Sequence, residues 1–384
     1  MSTRLVLSIG NFFMAGHFFL IVYVIAPYLA LYMPATQTGL VVSLGAVLTL
    51  AVFPFMPMIT ARFGARRTAI FLTSLQALTL ATLSASPGLI PAVIFIATAC
   101  AISPFIGYQL DLLLEATVKE EGTTGRVRTI FLTAANLALV LAPLVIGLLL
   151  DGTENYARVF LASAILLTPF ITLFLFEKAP EPAPHDVTKV GLTCRCMWAD
   201  KDLRAAAIGN AVLQFFYHLA PLYTSLYLHT VLGIAWSDLG WIFAIMLLPF
   251  VFVEYPAGYI ADRWFGDKKL LMAGFVITGF FFSLLAFVTG STPLLLVAGI
   301  LFMSRVGAAL VEAMIEGHFF RRVTERDANT ITVFRMTRPF AALLAPLFAS
   351  VVLLSGSYLL FFILSGALII ALGIVSAVAI HDIR

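Results

Sequence analysis

Twelve times in 384 residues the chain returns to an apolar run about as long as a bilayer is thick. A membrane-crossing helix needs about 20 mostly apolar residues, because hydrocarbon offers no partner to a backbone N–H or C=O. By that rule the runs are 5–33, 38–60, 67–87, 89–114, 129–150 and 157–176, then 204–228, 237–260, 269–290, 293–317, 330–354 and 358–380. Charge is confined largely to the gaps: Asp, Glu, Lys and Arg make up 11% of the chain, against roughly 25% in a soluble domain. A soluble globule has no means of covering so much apolar surface, and disordered chains have the opposite composition. The expected fold class is an all-α membrane protein with twelve transmembrane helices.

A Pro-rich and charged stretch divides the runs into two sets of six. The expected organisation is a six-helix half over 1–176, a linker over 177–203 and a second half over 204–384. With the N-terminus inside, 21 of the 23 Lys and Arg fall in cytoplasmic segments or in the cytoplasmic portions of runs; Arg158 falls outside and Arg305 deep within a run. That asymmetry predicts a multi-pass protein of a bacterial inner membrane with both termini and the linker in the cytoplasm. The first run exceeds the length of a signal-peptide core and ends in no small-residue cleavage site, so it is expected to remain as a helix. Cys100, Cys194 and Cys196 supply neither a disulfide framework nor a zinc site.

The two halves resemble each other. Ile9-Gly10-Asn11 recurs as Ile208-Gly209-Asn210, and Pro54 with Phe63-Gly64 recurs as Pro256 with Phe265-Gly266. Asp111 and Glu115 recur as Glu312 and Glu316 with the same spacing, and Leu141-Ala142-Pro143-Leu144 recurs as Leu344-Ala345-Pro346-Leu347. The offsets are 199, 202, 201 and 203, in chain order, which points to a duplicated unit. Six spans return the chain to its starting side, so both copies share one orientation. Two parallel halves are a repeat plan used by secondary transporters.

After the eighth run the chain reads Gly258-Tyr-Ile-Ala-Asp262-Arg263-Trp-Phe-Gly266-Asp-Lys268-Lys269. This resembles the loop between the second and third helices of each half in the major facilitator superfamily. The first-half counterpart keeps Arg62, Gly64, Arg66 and Arg67 but lacks the leading Gly and the Asp. Gly266 suits a tight turn, and the basic residues suit pairing with acids on neighbouring helix ends. The candidate acids are Asp111, Glu115, Glu312 and Glu316, each pair spaced i, i+4 and so on one helix face. The resemblance implies a conformational latch built from Gly258, Asp262, Arg263, Gly266, Lys268, Arg62, Gly64, Arg66 and these four acids.

Ionisable groups at membrane depth are the default functional suspects. Arg305 lies about 18 Å into the tenth run at 1.5 Å per residue, and Glu254 is its candidate acid partner. His17 and His218 fall near mid-depth on helices that line the cavity in the family, and a histidine titrates near neutral pH. Gln109 and Asn136 complete the candidate substrate and coupling set, with Asn11, Asn210 and Gln214 as further intramembrane polar groups. Ala138-x-x-x-Ala142-Pro143-x-x-x-Gly147 resembles in part the fifth-helix motif of family exporters.

No Gly-x-x-x-x-Gly-Lys-Ser/Thr phosphate loop occurs, which argues against ATP-driven pumping. The expected function is secondary active transport of a small solute by alternating access, coupled to protons, with export of an amphiphilic compound favoured. Uptake of a sugar or organic anion is the alternative within that class. A membrane-embedded enzyme and a non-transporting sensor are the alternatives outside it. No cofactor and no nucleic acid are expected, and the partners are the solute, the bilayer and protons, with a monomer as the working unit.

Overall fold

Three of the described spans start where a side chain accepts from the helix's first free N–H groups. The computed structural model describes residues 2–85, 88–117, 124–177, 190–253, 256–257, 261, 263, 266–323 and 328–381. The Ser2 side chain caps the first span, Asp200 accepts from Asp202 N and Leu203 N at the start of the seventh, and Ser357 accepts from Leu360 N at the start of the twelfth.

Among the described residues, nine helices are long and apolar enough to cross a membrane. They are Thr3–Ala30, Ala35–Phe63, Leu89–Ala116, Phe131–Leu149, Ala157–Phe176, Asp267–Phe287, Leu294–Arg322, Thr330–Leu353 and Tyr358–Ala379. Three further helical segments stand in the third, seventh and eighth places: Ala65–Ser84, Lys201–Ser225 continued by a π-helical turn over Leu226–Val231, and Trp236–Leu247 followed by Pro249–Phe252. The protein is therefore an all-α membrane protein of twelve spans. Boundaries differ from the sequence expectation by a few residues. Span two starts at Ala35 because Pro34 precedes it, and span seven starts at Lys201 because Asp200 caps it. A ten-residue helix, Val190–Ala199, lies within the expected linker and buries Met197.

Packing repeats between the halves. In the first, span one packs on spans five and six, span three on four and six, and span two on four. In the second, span seven packs on eleven and twelve, span nine on ten and twelve, and span eight on ten. The repeated Ile-Gly-Asn shows how sequence produces this. A Cβ on Gly10 would meet Phe174 of span six at 2.6 Å, and one on Gly209 would meet Ser376 of span twelve at 2.6 Å. The next residue reaches the other neighbour: Asn11 Nδ2 donates to Phe131 O of span five at 2.9 Å, and Asn210 Nδ2 to Thr337 Oγ1 of span eleven at 2.7 Å. One tripeptide thus supplies close approach to one helix and a hydrogen bond to another.

The turn glycines also repeat. Gly64 has φ 86° and Gly266 φ 75°, and each immediately precedes the first residue of the next span. Side chains disfavour that conformation, which is why glycine stands in both places. By contact the chain forms two units, Met1–Val187 with Ile234–Ala244, and Thr188–Gly233 with Ile245–Arg384. The first part of span eight joins the first unit because Gly147 and Gly240 let helices touch: a Cβ on Gly240 would lie 2.9 Å from Pro143 O.

Candidate functional site

Span ten of the second half carries Arg305, Glu312 and Glu316 at i, i+7 and i+11, a spacing that puts them on one face. Span seven runs beside it and span eleven supplies the partners. Tyr217 OH donates to Glu312 Oε2 at 2.6 Å. Arg335 Nη1 donates to Glu316 Oε1 at 2.7 Å, and its guanidinium lies 5.8 Å from the centre of the Phe320 ring. The charges of Glu316, Arg338 and Arg335 all act on Glu312. Opposed influences meet on this carboxyl. A hydroxyl donor, a second carboxylate and two guanidinium groups surround it.

Arg305 is buried in the same face, donates to Ser304 Oγ at 3.2 Å and lies 4.6 Å over the Phe216 ring. An aromatic face attracts a cation, more strongly where water is excluded. Glu254, the expected partner, lies outside the described residues. His218 is half-buried; its Nδ1 donates to Gln214 O at 2.7 Å, and the charge of Arg338 acts on the ring. The structure thus gathers Arg305, Glu312, Glu316 and His218 with Tyr217, Arg335 and Arg338 on three adjacent helices.

The first-half candidates make contacts within their own half. His17 is fully buried and joins four helices. Its Nδ1 is 2.7 Å from Ser163 Oγ, which in turn donates to His17 O at 3.2 Å, so Nδ1 carries the proton. Gln76 Nε2 approaches His17 Nε2 at 3.1 Å and Ala99 O and Ser103 Oγ at 3.3 Å each. An amide N–H facing Nε2 makes that nitrogen an acceptor and the ring neutral. Gln109 is also fully buried and exchanges hydrogen bonds with Thr60, tying span four to span two. Asn136 is half-exposed on span five.

Replacing Gln76 with leucine is expected to strand the Nε2 lone pair and to destabilise the first half by about 1–3 kcal/mol, the cost of a buried unsatisfied group. A thermal midpoint indistinguishable from wild type would remove Gln76 from this role.

Two of the loop bases donate to main-chain carbonyls. Arg66 Nη1 donates to Glu177 O after span six, and Lys268 Nζ donates to Val378 O in the last turn of span twelve at 2.7 Å. Each base stands two residues after its turn glycine, and each caps the C-terminal end of the last helix in its half, where a cation is favourable. Arg62 is exposed over the Phe63 ring, Arg263 is exposed, and Asp111 and Glu115 are exposed on span four. Gly258 and Asp262 lie outside the described residues.

Sequence reasoning passed over Gln76, Tyr217, Arg335 and Glu177. An amide inside an apolar run, paired with a histidine in another, is the signal that would have found Gln76. Nothing local marks the other three.

A sequence profile of the Major Facilitator Superfamily matches residues 7–233 and 205–384. The crystal structure of a bacterial homolog of the human lysosomal transporter Spinster, inward-facing and occupied, aligns with a TM-score of 0.76 at 14% identity, covering 98% of this chain and 95% of that one. The crystal structure of the nucleoside transporter NupG aligns with a TM-score of 0.76 at 15% identity, covering 99% of each chain. At such identities the likeness is one of fold. Among curated proteins no significant sequence match is found.

Proposed function

The chain belongs to the major facilitator superfamily, and on that premise we propose that it is a proton-coupled secondary transporter that exports a small amphiphilic solute. The Tyr217–Glu312 hydrogen bond carries the proposal. In this reading the Glu312 carboxyl accepts the proton, beside the Glu316–Arg335 ion pair and the Arg338 guanidinium, where gain and loss of a proton alter the neighbouring interactions. The transporting bodies in this reading are the halves 1–176 and 204–384, joined by the linker 177–203. Both termini and the linker face the cytoplasm of a bacterial cell, and the Arg66 and Lys268 contacts act as latches on the last span of each half.

Support for export comes from span five. Its partial exporter motif ends at Gly147, where a Cβ would lie 3.0 Å from Trp236 O and 3.2 Å from Gly240 Cα. The small residues there serve close helix packing. The aromatic groups beside Glu312, with Tyr217 and Phe250 rings 5.8 Å apart, suit a solute that is part apolar. The buried Arg305 favours a second reading, in which the solute is an organic anion.

The test uses purified protein in liposomes under an imposed pH gradient, with a panel of amphiphilic cations, neutral amphiphiles, organic anions and nucleosides. The exposed Cys194 and Cys196 report sidedness through an impermeant maleimide. Solute movement that follows the gradient, together with labelling from the cytoplasmic side, is the expected result. Movement that ignores the gradient for every active solute would refute the coupling.

A further inference from the structure

His318 lies near the end of span ten, on the linker side of the second half, with its side chain 1% exposed. Two carboxylates face its ring from two other helices. Nε2 is 3.7 Å from Asp202 Oδ1 at the start of span seven, and Nδ1 is 3.6 Å from Asp267 Oδ2 at the start of span nine. These are ion-pair distances rather than hydrogen bonds, and neither ring nitrogen has a hydrogen-bond partner among the described residues.

The other charged groups around the pair are accounted for on each packed element. From span ten itself, Arg322 Nη2 is 2.9 Å from Asp202 Oδ2, and Arg321 pairs with Asp267. From the segment after span twelve, His381 N donates to Asp202 Oδ1 at 2.8 Å and its ring Nδ1 lies 3.3 Å from the same oxygen. Lys268 of span nine is turned to Val378 O. Both arginine side chains and His381 are partly in solvent, at 40%, 29% and 71% exposure, whereas the imidazole between the two acids is enclosed.

The chemistry of imidazole decides what fits there. A neutral ring has one N–H and one lone pair, whichever tautomer is chosen. In either tautomer the lone pair points at an enclosed carboxylate, which repels it. Only the doubly protonated ring presents an N–H to both acids.

We propose that His318 is a proton-binding site whose bound proton ties the linker-side ends of spans seven, nine and ten together through Asp202 and Asp267. The site is separate from Glu312 and stands whether or not transport is proton-coupled. Its sign follows from the arrangement. The tie is complete while the imidazole is protonated and is lost as rising pH removes the proton, because one acid then faces a lone pair.

The experiment uses the full-length protein in detergent. The apparent Tm is measured at mildly acid and mildly alkaline pH for wild type, His318→Gln and His381→Gln. Wild type is expected to lose about 2–4 °C more than His318→Gln as the pH rises, which corresponds to about 1 kcal/mol in a domain of 150–250 residues. His381→Gln is expected to keep the wild-type pH dependence. In parallel, imidazole ¹⁵N spectra of histidine-labelled wild type are recorded, with His318 assigned by its loss in His318→Gln. A doubly protonated ring at mildly acid pH supports the site. A singly protonated ring throughout, or full pH dependence in His318→Gln, overturns it. Should His318→Gln fail to fold, Asp267→Asn takes its place in the Tm comparison, where an unchanged pH dependence has the same meaning, and His318 is assigned in the spectra by the resonance that Asp267→Asn shifts.

Discussion

Glu312→Gln is expected to reduce gradient-driven solute accumulation to the level of protein-free liposomes, while exchange of solute without a gradient continues. Glutamine keeps the shape of the side chain and still accepts from Tyr217, but it has no proton to give up. Tyr217→Phe is the graded companion. It removes a hydrogen bond to an ionisable carboxyl, worth about 1.5–3 kcal/mol, so transport is expected to slow by about tenfold or more. Radiolabelled solute flux into proteoliposomes reads both. Wild-type accumulation by Glu312→Gln would move the coupling group elsewhere, with Arg305 and His218 the next residues to replace.

Gly366→Leu is expected to cost the protein its folded state. Span nine lies between spans ten and twelve at van der Waals closeness. A Cβ on Gly279 would stand 2.5 Å from Gly366 O, and one on Gly307 would stand 2.5 Å from Thr278 N. Any Cβ on Gly366 would run into Ser283 Oγ and Gly279 O. Backbone cannot move aside as a flexible side chain does, so the overpacking penalty is on the order of 3 kcal/mol or more. Gly299, in the same half, has nothing within 4 Å of its notional Cβ, and Gly299→Leu is the control expected to behave as wild type. Size-exclusion chromatography and thermal unfolding compare the two. Equal behaviour would mean that the helices separate more easily than this contact implies.

Twelve spans, the duplication and the two turn glycines were legible because each depends on local sequence: run length, repeated strings and a backbone conformation that glycine adopts readily. The Ile-Gly-Asn string was legible as a repeat, though its two contacts were not. The acids show the limit most clearly. Their i, i+4 spacing places Glu312 and Glu316 on one face, but periodicity does not say which way that face is turned. It is turned toward Tyr217 and Arg335, on helices about a hundred residues before and twenty after in the chain. Asp202, Asp267 and His318 were illegible for a related reason. Each reads alone as an ordinary charge near a helix end, and only the packing of spans seven, nine and ten brings them together.

The contacts of Arg66 with Glu177 O and Lys268 with Val378 O have a consequence for how the family loop can drift. Both acceptors are main-chain carbonyls, which every residue type possesses. Substitutions at 177 or 378 therefore leave an acceptor in place, whereas loss of the long basic side chain on the loop removes the donor. Such a fastening tolerates wide change on one partner and little on the other. A loop anchored this way can lose an acidic residue, as the first-half copy has at Ala61, and still keep its hold on the last helix of its half.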